Sequence, residues 1–95
     1  MRLNEYEIDS IKETFEKIFD GGVIILFGSR VDDDKKGGDI DLYLQPDNVQ
    51  NLKEKKINFL IALKARIGEQ KIDVIIAKDP NRIIELEAIE KGIKL

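Results

Sequence analysis

Three aspartates and one short turn carry the chemistry available to this sequence. Asp39 and Asp41 stand two apart in Asp39-Ile40-Asp41-Leu42-Tyr43-Leu44, where polar and apolar residues alternate. On a strand, that period sends both carboxylates to one face and Ile40, Leu42 and Leu44 to the other. Like charges so placed raise a pKa or destabilise the strand unless solvent, a basic neighbour or a divalent cation offsets them. Asp73 interrupts the otherwise apolar run of Ile72, Val74, Ile75 and Ile76, and it approaches the pair if its strand adjoins theirs. Three oxygen donors then converge. With no Cys and no His in the chain, such a set suits a hard cation, Mg2+ or as a substitute Mn2+, whose remaining positions water and phosphate fill. The ordinary alternative is an Asp-x-Asp that keeps an edge strand soluble.

The second element is Gly28-Ser29-Arg30, directly after the apolar run 23–27. Glycine permits a close approach, exposed amides and a serine hydroxyl bind phosphate oxygens, and arginine neutralises more of them. Taken alone, the same three residues also describe a capped turn with a surface arginine. Together with Asp39, Asp41 and Asp73 they describe a site for a phosphorylated ligand and its metal.

These residues need a scaffold. Ile8, Ile11, Phe15 and Ile18, widened by Phe19, predict a first helix that Asp20-Gly21-Gly22 stops. Residues 23–27 predict a strand covered on both faces, and 39–44 a shorter, half-polar strand. A helix follows over 51–67, stopped by Gly68, then a third strand over 71–76. Asp79 is placed to cap a final helix with Pro80 in its first turn, and Ile83, Ile84, Leu86, Ala88 and Ile89 populate that helix unevenly, with packing on the sheet expected for most of its Ile and Leu residues. Gly92 to Leu95 reads as a terminator and tail. The expected fold is α/β, a small mixed sheet with flanking helices in the order α-β-β-α-β-α. The short connection between the first two strands favours an antiparallel pair, and the helix between the second and third permits a parallel one.

Composition sets the limits. Residues 1–95 suit one compact domain, since 42% of the chain is hydrophobic and 37% charged. A formal charge of −3 gives no overall attraction to DNA or anionic membranes, and the few aromatics lie in apolar patterns rather than on a stacking platform. Direct nucleic-acid binding is not expected. No run is long enough to span a membrane and nothing resembles a targeting segment, so the expectation is a cytoplasmic chain. Charge is also segregated, with six Asp and two Lys over 32–47 against five basic residues and Glu54 over 53–66. Such blocks most simply form solvated surfaces, and they also suit a metal-binding mouth or electrostatic docking.

Gly28-Ser29-Arg30, then Gly38-Asp39-Ile40-Asp41-Leu42, then Ile72-Asp73-Val74 resemble the minimal nucleotidyltransferases of the DNA polymerase beta-like superfamily. The short chain looks like the antitoxin of HEPN–MNT toxin–antitoxin pairs. The resemblance implies that Gly28 and Ser29 hold a nucleoside triphosphate and that Arg30 assists. It further implies that Asp39 and Asp41 coordinate two metal ions, while Asp73 completes the site and helps activate an attacking hydroxyl. The implied reaction is Mg2+-dependent transfer of AMP from ATP to a hydroxyl, foremost a Tyr of a helical HEPN toxin, with release of pyrophosphate.

The chain departs from the pattern after Arg30. Relatives continue with a small residue, Arg and Gly and often place Ser before the first catalytic Asp, whereas here Val31-Asp32-Asp33 and Gly38 stand in those places. Asp32, Asp33 and Asp34 near the phosphate entrance keep two other readings open. One is a catalytic subunit that modifies a small molecule such as an aminoglycoside beside a separate substrate-binding subunit. The other is an antitoxin that neutralises by binding alone. So short a chain has little surface to enclose both base and acceptor, which predicts dependence on a partner. The sequence leaves homo-oligomerisation open.

Overall fold

The computed structural model describes residues 1–34 and 38–95. Lys35 and Lys36, the two lysines of the acidic stretch, therefore lie outside the described residues. Helix α1 (Glu5–Phe19) opens with a reciprocal cap, in which the Asn4 side chain accepts from the Glu7 amide and the Glu7 side chain accepts from the Asn4 amide. It ends at Asp20 in the left-handed conformation. Strand β1 (Gly22–Phe27) leads into a single 3-10 turn (Gly28–Val31). Strand β2 (Ile40–Pro46), helix α2 (Leu52–Ile67), strand β3 (Ile72–Ile76) and helix α3 (Ile83–Lys91) follow.

The sheet order is β3-β2-β1 with a fourth strand, β4 (Ile93–Lys94), outside β1. Strands β1 and β2 are antiparallel and β2 and β3 parallel, as the connection lengths predict. The tail expected after Gly92 is instead β4, which pairs antiparallel with Ile25 and Leu26. Only two residues long, it has no alternation to reveal it in the sequence.

Helices α1 and α2 cover one sheet face. Ile40, Leu42 and Leu44 point into that layer with Ile11, Phe59 and Leu63, all fully buried. Phe19 bridges the two helices, stacked on Phe15 at 5.2 Å and edge-on to Phe59 at 5.9 Å. Burial of each such ring contributes roughly 2 kcal/mol. Helix α3 lies on the other face, where Ala88 packs with Ile25, Phe27 and Tyr43.

Two expectations about α3 are corrected. The helix starts at Ile83, beyond Asp79 and Pro80, and Asp79 caps a local turn by accepting from the Asn81 amide. Ile83, Ile84, Leu86 and Ile89 do not pack on the sheet. Ile83 is 85% exposed and the others are exposed as well, because so short a helix turns only its Glu85 and Ala88 positions inward. Among the described residues no helix is long and apolar enough to cross a membrane.

Candidate active site

The parallel register between β2 and β3 sets Asp41 beside Asp73. Partners on adjacent strands face the same way, so the two carboxylates share the face opposite Ile40 and Leu42. Tyr43 and α3 occupy the next stretch of that face. Asp41 is half-buried, whereas Asp73, on an edge strand, is exposed. Burial first, then the charges of Asp73 and Asp39 and a hydrogen bond with Asp73, push the Asp41 pKa from its ordinary 3.8 to about 6, with Lys71 opposing.

Asp39 stands just before β2 and turns toward Lys71, whose Nζ lies 3.3 Å from its Oδ2. That pairing first, with the charges of Asp73 and Asp41 adding to it, holds the Lys71 ammonium above its usual range. Among the described residues, no group of three or more carboxylates is arranged to hold one metal ion. Thus the structure brings Asp41 and Asp73 together and gives Asp39 a lysine partner. All-oxygen donors still fit a hard cation in type.

Gly28 explains why glycine follows β1. Its φ is +74°, and a Cβ there would run into the Asp41 carboxylate. The backbone of the turn therefore lies directly against the Asp41 carboxylate. Gly38, at φ +89°, likewise leaves room for the Ser29 hydroxyl. Arg30 is tied into the fold. Its guanidinium donates to the carbonyls of Gly38 at 3.2 Å and Arg2 at 2.9 Å and to Gln70 Oε1 at 3.3 Å. Arg2 reciprocates by donating to the carbonyls of Ser29 and Asp32, both at 2.9 Å. The two arginines brace the turn from behind.

Sequence reading missed Arg2, and no local signal could have found it, because its partners lie about thirty positions away. It also missed the cleft that opens on the pair. This space of about 570 Å³ is lined by Gly28, Asp41 and Asp73 with Ile75, Lys56 of α2 and Ile84 of α3.

A glycine turn thus packs against one of two paired aspartates on a small mixed sheet. Residues 9–95 match the family model described as Polymerase beta, Nucleotidyltransferase, and the chain belongs to that family. No curated protein matches it significantly.

Proposed function

We propose that this chain transfers AMP from ATP to a hydroxyl, with a Tyr of a helical HEPN toxin as the acceptor and neutralisation as the result. The observation that carries the reading is the Asp41–Asp73 register pair set against Gly28. Asp41 and Asp73 would hold the divalent cation, Mg2+ or Mn2+, and Asp39 would join them on leaving Lys71. Such a cation, when bound, screens phosphate charge and stabilises the charge developing on pyrophosphate.

The chain's own groups do the rest. Gly28 and Ser29 orient the triphosphate next to Asp41. Asp73 is exposed at the sheet edge, where a hydroxyl on another molecule can reach it, and its carboxylate takes the proton of that hydroxyl. The acceptor oxygen bonds to the α-phosphorus as the bond from that phosphorus to the bridging oxygen breaks, and pyrophosphate leaves. Ile83, Leu86 and Ile89 support a partner, since α3 shows them to solvent on the same side of the sheet as the site.

Intact-mass analysis tests the reading. The natural partner is incubated with this chain, Mg2+ and each nucleoside triphosphate in turn. An AMP adduct on the partner is expected with ATP. Absence of both adduct and pyrophosphate release sinks the proposal, and an adduct confined to a small molecule moves the acceptor to the aminoglycoside-type reading. Neutralisation that survives loss of Asp39, Asp41 and Asp73 assigns the biological effect to binding alone.

A further inference from the structure

We infer that Lys91, in the last turn of α3, grips the terminal phosphates of the nucleotide. The inference rests on the transferase reading above and adds a binding residue to it. A second cleft of about 240 Å³ adjoins the first through Phe27, Gly28 and Glu87. Gly28 and Ser29 form one side of it, and Lys91 lines it with them. Lys91 is its only cation among the described residues, whereas Asp32 and Glu87 line it as anions.

The neighbouring cations have other duties. Arg30 is engaged by two carbonyls and Gln70, and Lys71 is paired with Asp39. Lys56 lines only the larger cleft, from α2 on the opposite side of the sheet. Lys91 makes no salt bridge among the described residues. A triphosphate in the Gly28–Ser29 turn meets carboxylates at Asp32, Asp41, Asp73 and Glu87, so an exposed ammonium at its far end supplies needed attraction. The competing explanation is that Lys91 only complements the carbonyl end of α3.

Equilibrium binding of ATP, AMP and inorganic triphosphate, each with Mg2+, separates the two. Lys91→Gln is expected to weaken ATP and triphosphate about tenfold while leaving AMP unchanged, and Lys91→Arg to restore most of the loss. If Lys91 only stabilises the helix, Lys91→Gln lowers the melting temperature and shifts ATP and AMP alike, which overturns the inference, as does unaltered ATP binding. A larger ATP loss in Lys56→Gln than in Lys91→Gln overturns it too. Wild-type protein that binds neither ATP nor triphosphate removes the transferase reading itself, an outcome distinct from a silent Lys91 variant.

Discussion

Glu85 and Asp41 are acids on the same side of one sheet with opposite surroundings. Glu85 is fully buried yet saturated with donors. It accepts from the Tyr43 hydroxyl at 2.7 Å, the Lys78 amide at 3.0 Å and the Asp79 amide at 2.9 Å, and it pairs with Arg82 at 3.2 Å. Burial pushes its pKa up, but the Asp79 amide, Tyr43, the Lys78 amide and Arg82 together outweigh burial and leave it lowered. Asp41 is only half-buried, but its neighbours are carboxylates, and its pKa rises to about 6. A carboxylate surrounded by donors ties the chain before α3 to the sheet. A carboxylate crowded by its own kind costs stability and holds its proton to higher pH.

Exchanging the two roles breaks the comparison most sharply. Asp41→Asn or Asp73→Asn is expected to lower nucleotide transfer by roughly a thousandfold, because charge and proton-accepting capacity go while shape remains. Pyrophosphate release measures this, and normal turnover in both variants would remove the carboxylate pair from the mechanism. Glu85→Ala acts on the fold instead. It leaves the Tyr43 hydroxyl and two amides without their acceptor and should drop the melting temperature by about 10 °C. A change of a degree or two would mean water replaces the carboxylate.

The third expectation is smaller and opposite in sign. A carboxylate whose pKa is higher folded than unfolded contributes stability that is fully present below about 3.8 and lost as pH rises through about 6. In chelator, Asp41→Asn should therefore stabilise the protein at neutral pH. The full shift corresponds to about 3 kcal/mol, which solvent screening of a half-exposed group reduces to about 1 kcal/mol. Denaturant titrations at pH 7.5 and pH 3.5 check it, and a gain that persists at the lower pH contradicts the electrostatic cause. Smallest of all, Lys71→Gln removes the cation that opposes the Asp41 shift. The Asp41 carboxyl, followed by NMR, should then titrate a few tenths of a unit higher. An unmoved or lower midpoint would show that Lys71 serves only Asp39.

The same contrast explains how much was legible beforehand. Asp41 was readable because strand alternation is local, and a polar residue among Ile40, Leu42 and Leu44 stands out on one face. Glu85 was not, because a Glu in a short helix with other Glu residues looks like solvated surface. Its burial depends on Tyr43, which lies 42 positions away. Asp79 and Pro80 suggested a helix start by local rules, yet the start moved to Ile83 once Glu85 satisfied the Lys78 and Asp79 amides. Arg30 carried a phosphate-binding signal by type and position. Its engagement by Gly38, Arg2 and Gln70 depends on a chain path that no local pattern encodes.

By itself, the sequence determined the three main strands, the three helices, the face on which Asp41 lies, and the glycine turn ahead of it. Each follows from side-chain period or backbone allowance within a few residues. Only the tertiary structure decided that Asp73 stands beside Asp41, that Asp39 turns to Lys71, that β4 pairs outside β1 and that Lys91 and Ser29 line one cleft. Those outcomes depend on strand register and on which helix covers which face. Both are settled by packing between segments far apart in the chain, where the burial of Ile40, Leu42, Phe59 and Ala88 outweighs local preference.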